Sequence, residues 1–174
     1  RLCQMNPLID DMTCPAPMAA NGQSWNTTTD RVMGGLSTGQ SQRQMIGGRT
    51  AVRLQGTVSL KNNGGFVQIG LDLASGSGSV DASGWSGIAV TIFGNDEQYN
   101  LHVRTSDTHY PWQSYRQTFV ARPSWTLLKL PFAGFAPHRT EFPLDFQRLR
   151  RISLIAIGRE FHADLAVADL RFYL

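Results

Sequence analysis

Apolar and polar residues alternate along much of this chain with a period of two, the pattern of strands that bury one face. Val52, Leu54, Val58 and Leu60 share one parity, and Arg53, Gln55, Thr57 and Ser59 the other. Val67, Ile69 and Leu71 then alternate against Phe66, Gln68 and Gly70. Between them lies Lys61-Asn-Asn-Gly-Gly65, a turn of residues that accept left-handed backbone. The two runs are expected to form a hairpin. Residues 88–93 are apolar and β-branched almost throughout, as a central strand covered on both faces would be. Tyr99, Leu101 and Val103 face inward by parity, which puts Asn100, His102 and Arg104 on the exposed side.

Further strands are expected at residues 7–12, 116–121, 126–130, 152–157 and 165–172. The apolar parity slips between Val167 and Leu170, the mark of a bulge. Residues 38–43 are polar and extend a loop or form an edge strand. Residues 75–87 form a Gly/Ser-rich loop around Trp85, and residues 131–137 leave the sheet as a proline-bounded aromatic segment. Residues 144–149 are expected to make one helical turn. No helical periodicity is sustained over ten residues. Short strands separated by turn signals predict one all-β domain over residues 1–174, an antiparallel β-sandwich of jelly-roll type.

Composition narrows the function classes. At 174 residues the chain can bury a sizeable core without staples. Apolar residues make up 41% and charged residues 17%, which argues for a folded domain. The net charge of +3 comes from arginine, since Lys61 and Lys129 are the only lysines, and the basic residues are not clustered broadly enough for nucleic acid. A preference for an acidic partner or an anionic surface is as far as charge leads. No apolar run reaches the length of a membrane-spanning helix. The sequence opens on Arg1, not Met, which leaves room for a leader, tag or anchor upstream. Cys3 and Cys14 fit a disulfide or two free thiols equally well.

Catalytic signals are weak. Gly35-Leu-Ser-Thr-Gly39 matches a serine-nucleophile pattern, but the flanks are polar and no helix follows, so it reads as a turn. His102, His109, His138 and His162 lie too far apart for a metal site. The carboxylates are expected in turns, where sequence alone cannot pair them for glycosidase work. No cofactor and no metal are expected. The aromatic residues carry more. Trp85 and Trp125 adjoin strongly apolar strands and are expected to cap the core. Trp112, beside Tyr110 and Tyr115, is expected to be exposed and able to stack on a sugar or anchor an interface.

One stretch, Trp25-Asn-Thr-Thr-Thr-Asp-Arg-Val-Met-Gly-Gly-Leu-Ser37, is too polar for a core strand and too rich in glycine for a helix. Three motifs follow in order: Asp30-x-Val-Met-Gly-Gly-x-Ser37, Gly56-x-Val-Ser-Leu-x-Asn-Asn-Gly-Gly-Phe66 and Leu130-Pro-Phe-x-x-Phe-x-Pro137. Together they resemble the complex I intermediate-associated protein 30 (CIA30) family over nearly the whole chain. The resemblance implies a galactose-binding-like jelly roll and a non-enzymatic role in assembling a membrane-bound complex, respiratory or photosynthetic. Arg31 and the segment His162-Ala-Asp164 depart from the family pattern. Carried onto this chain, the motif positions are Asp30, Val32, Met33, Gly34, Gly35 and Ser37, with Asn62, Asn63, Gly64, Gly65 and Phe66. They suggest two loops bracing each other, with Asn side chains satisfying glycine-turn backbone and Met33 and Phe66 filling the gap.

The expected function is therefore an interaction module, an assembly factor or accessory subunit whose partner is a subunit of a membrane-associated complex. The alternative is a carbohydrate-binding module with a glycan ligand. The candidate binding residues are Trp25, Asp30, Arg31, Met33, Ser37, Asn62, Asn63, Phe66, Arg104, Tyr110, Trp112 and Tyr115. A cytoplasmic or organellar-matrix location is expected ahead of a periplasmic one.

Overall fold

The period-two runs fold as strands whose apolar faces meet. The computed structural model describes residues 6–174, and Cys3 with its pairing lies outside them. Twelve strands are present: β1 (Leu8–Asp10), β2 (Asn26–Thr29), β3 (Thr38–Ile46), β4 (Arg49–Val58), β5 (Phe66–Asp72), β6 (Gly87–Phe93), β7 (Glu97–Thr105), β8 (Ser114–Ala121), β9 (Thr126–Pro131), β10 (Ala136–His138), β11 (Leu149–Ile157) and β12 (Phe161–Tyr173). One sheet has the order β3-β4-β12-β6-β9, with β1 also paired to β12; the other runs β10-β8-β7-β11-β5-β2. Every pairing is antiparallel. Residues from both sheets interleave in one apolar core, in which Leu54 and Leu165 of the first sheet meet Tyr99, Leu101, Ile69 and Leu154 of the second. The fold is an antiparallel jelly-roll β-sandwich.

Several expectations hold in detail. β6 is buried at every position except Phe93, between β12 and β9. At its end Phe93 joins a second apolar cluster on the outer face of the sheet, where it meets Trp125 edge-on with ring centroids 5.5 Å apart. The pairing of β12 with β6 shifts between Val167 and Asp169, which is the expected bulge. The polar stretch after the Gly-rich loop is indeed an edge strand, β3, paired only to β4.

Three expectations fail, each for a physical reason. β4 and β5 are not a hairpin: β4 pairs β3 and β12, whereas β5 pairs β11 and β2 in the other sheet. The Asn-Gly turn carries the chain across the core, from sheet to sheet. Beside it, the link from β11 to β12 makes the same crossing in the other direction, and Gly158 N donates to Gly65 O at 3.0 Å. Leu60 lies at this crossing, past the end of β4, and is therefore exposed although it shares the core parity. Residues 144–149 form no helix; Asp145 O accepts from Arg148 N at 3.2 Å in a turn before β11.

Candidate functional site

The motif loop starts where β2 ends. Thr29 is extended and its hydroxyl accepts from Arg31 N at 3.2 Å, which caps a short 3-10 turn over Asp30–Met33. Gly34 closes the turn at φ 88, a left-handed position where glycine is favoured. Asp30 is wholly buried, and its carboxylate is the hub of the loop. It accepts from Ser37 N at 2.9 Å, from Ser37 Oγ, from Gly65 N and from Phe66 N at 3.3 Å. Burial alone would raise its pKa, but the bonds from Ser37, Gly65 and Phe66 outweigh that and hold the carboxyl below its ordinary 3.8. The glycines around it follow. A Cβ on Gly35 or on Gly64 would sit 2.4 Å from atoms of the Asp30 carboxyl, so neither position has room for a side chain.

A second layer ties the two loops together. Ser37 Oγ accepts from Ser59 N at 2.8 Å, and Asn62 Nδ2 donates to Gly34 O at 3.3 Å. Asn62 and Asn63 take left-handed backbone, φ 56 and 57, as the turn chemistry requires. The expected mutual brace is therefore present, but its keystone is a buried carboxylate. Met33 does not fill the gap. It is 61% exposed, because the hydrogen-bonded hub occupies the space between the loops. Arg31 is exposed, yet its Nε donates to Ser37 O at 2.8 Å, so the guanidinium is folded back on its own loop.

What the brace presents is apolar. Val32 is 74% exposed, and Leu36 and Leu60 44% each, beside Met33. Arg31 and Lys61 are exposed on the same two loops, and the Asp30 carboxylate is buried beneath. The result is an apolar knob, held from below by the Asp30 hydrogen bonds, with a basic rim.

The remaining candidates divide. Trp25 is a core residue: it is buried, and its indole N–H donates to the buried Asp10 carboxylate at 2.6 Å. Tyr115 is also buried: it stands opposite the inward-facing Val103, with its hydroxyl donating to Phe142 O at 2.9 Å. Phe66 is half-buried at the brace. Trp112 and Tyr110 are exposed as expected, with rings parallel within 7° and centroids 4.8 Å apart. Arg104 is half-buried and holds their loop, donating from Nη2 to Thr108 O at 3.0 Å and to Tyr110 O at 3.1 Å. His102 corrects another expectation. It stands on the outer face of β7 between Arg116 of β8 and Ser153 of β11, but only 8% of it is exposed. Burial first, then Arg116 and His138, push its pKa down to about 3.

Among the described residues no group of three or more His, Cys, Asp or Glu side chains is placed to hold a metal ion. No helix there is long and apolar enough to cross a membrane. The Ser37 hydroxyl, buried and donated to Asp30, has no histidine among its hydrogen-bond partners.

A family model described as complex I intermediate-associated protein 30 (CIA30) matches residues 17–167. The chain belongs to the CIA30 family. Its motif carboxylate, Asp30, is the hub just described. No curated protein matches the chain in sequence. Among solved structures, it resembles a family 11 carbohydrate-binding module from Clostridium thermocellum in complex with a β-1,3-1,4-mixed-linked tetrasaccharide. The TM-score is 0.73 at 12% identity, over 96% of this chain and 94% of that one. A family 30 carbohydrate-binding module matches with TM-score 0.59 and 11% identity over 77% and 73% of the two chains. The agarase AgWH50C matches with TM-score 0.59 and 12% identity over 97% of this chain and 24% of that one. At these identities the likeness establishes a shared sandwich fold.

Proposed function

We propose that this CIA30 domain is a non-catalytic docking module that serves the assembly of a multi-subunit membrane complex by holding a protein subunit. The observation that carries this reading is the knob of Val32, Met33, Leu36 and Leu60, fixed from below by the Asp30 hub. Exposed apolar side chains cost solubility, and a loop pre-ordered to present them lowers the entropy lost on association. The basic rim of Arg31 and Lys61 favours a partner that is apolar at its centre and acidic at its edge. The CIA30 family name points to a complex of this kind.

A tagged protein at native expression level, recovered with its bound subunits, tests this against the double variant Val32→Asp with Met33→Asp. Both side chains are exposed, so the variant is expected to melt as wild type does while losing the co-purifying subunit. A double variant that captures the same subunits in the same yield would overturn the assignment.

The exposed Tyr110–Trp112 pair favours a second reading, a carbohydrate-binding site, because a flat aromatic face can stack on a sugar ring. The sandwich is shared with modules that bind sugars, which is fold-level analogy and weak by itself. A glycan array separates the two readings: sugar binding abolished by Trp112→Ala supports the second, and an empty array removes it.

A further inference from the structure

The end of the second sheet opposite the knob carries a different surface. β5 and β11 both have one end at the brace, where Gly65 meets Gly158, and the other at Asp72 and Arg151. There a cleft of about 140 Å³ is lined by Arg104, Arg150, Arg151, Thr105, Thr108 and Asp72, among others. Three guanidinium groups thus meet one carboxylate.

Their donors are unequally used. Arg151 spends Nη1 on Asp72 at 2.9 Å and Nη2 on Asn26 at 2.7 Å, and Arg104 spends Nη2 on the carbonyls of Thr108 and Tyr110. Arg150 makes no side-chain hydrogen bond or ion pair among the described residues. Its five N–H donors, the Arg104 Nη1 pair and Arg151 Nε remain for a ligand. Burial first, and then repulsion from Arg150 and Arg151, lowers the Arg104 pKa, so the cluster is close enough for its positive charges to oppose one another. An oxyanion would relieve that, and the forked donors of arginine match a carboxylate.

We propose that this cleft is an anion site that takes the carboxylate of an acidic sugar, a uronate, with a neighbouring ring of the same glycan lying on the Tyr110–Trp112 pair. Arg104 links the two parts, because the residue that lines the cleft also fixes the carbonyl of Tyr110. The inference rests on the carbohydrate reading above and adds to it a charge requirement and a location.

Calorimetric titration of the whole protein with trigalacturonate, its methyl-esterified neutral form and triglutamate tests it. Trigalacturonate is expected to bind at least about tenfold more tightly than the ester, since hydrogen bonds to a charged group are the strong ones. Arg150→Ala is expected to remove most of that preference without lowering the melting temperature, because the side chain makes no hydrogen bond or ion pair among the described residues and only opposes Arg104. Added salt is expected to weaken the acidic sugar and spare the ester. Equal binding of acid and ester would overturn the charge requirement while leaving the carbohydrate reading standing. No binding of either sugar would remove both. Triglutamate binding as tightly as trigalacturonate would mean that the cleft reads acidic peptide, and would overturn the assignment to a sugar.

Discussion

Asp30→Asn is the most direct probe of the hub, because it keeps the shape and removes the charge. Oδ1 accepts from Ser37 N, and Oδ2 from the Ser37 hydroxyl, Gly65 N and Phe66 N. An asparagine must turn its amide NH2 toward one of these sets, so at least one N–H faces another donor in a site without water access. The surviving bonds also lose their charge assistance. One buried donor left unsatisfied costs about 1–3 kcal/mol, and weakening the rest brings the total to about 3 kcal/mol. For a domain of this size that corresponds to a fall in Tm of roughly 6–12 °C. Urea and thermal unfolding of the two proteins at neutral pH measure it. The acid limb supplies a second check. The carboxyl is held below 3.8 in the folded state, so its stabilisation is complete above that value and is lost as pH falls through the lower folded pKa. Asp30→Asn should lack this component and lose less stability than wild type below pH 3.8. A loss under about 1 kcal/mol would show that the loops stand without the carboxylate, and would refute the account of the hub.

Other predictions test neighbouring features. Gly35→Ala should destabilise by roughly 2–4 kcal/mol, because its Cβ needs the space of the Asp30 carboxyl. Gly34→Ala has open space and should cost only the strain of its positive φ, about 1 kcal/mol. Equal losses in the two variants, by urea midpoint, would contradict this. His102 is neutral in the fold down to about pH 3 but titrates near 6.5 when unfolded, so stability should decline as pH falls from 6.5 towards 3. The slope in that window should reach at most about 1.4 kcal/mol per pH unit and flatten in His102→Gln. An unchanged slope in the variant would assign the acid sensitivity elsewhere.

The sheet architecture was largely legible because half-buried strands write their burial into alternate positions, as at Tyr99, Leu101 and Val103. Pairing was not. Lys61-Asn-Asn-Gly-Gly65 has the chemistry of a tight reversal, and the same left-handed residues serve equally well where a chain crosses between sheets. Which strand lies beside which depends on β11 and β12, nearly a hundred residues further on. At the site, the motif spacing correctly brought Asp30, Ser37, Asn62 and Gly65 together. Their roles were hidden because a buried aspartate and an exposed methionine invert the usual preferences, and only the count of backbone donors around the glycines makes the inversion favourable. The arginine cleft was illegible: parity placed Arg104 on the outer face of β7, but Arg150 enters through a register shift in β11 that no local pattern announces.

The position of β12 has a consequence for how this domain comes into being. It is the last in chain order of the twelve strands described, yet it lies in the interior of its sheet, against β4, β6 and β1. Until it arrives, β4 and β6 each have an unpaired apolar edge, and the sandwich has no closed first layer. Folding of the sandwich must therefore await nearly all of its strands and depend on contacts distant in sequence, which is the slow, aggregation-exposed regime. Nascent chains of this domain should be clients of ribosome-associated chaperones. Truncation before Phe161 should yield insoluble protein, not a shortened domain, and supplying the missing strand in trans as a separate peptide should restore solubility.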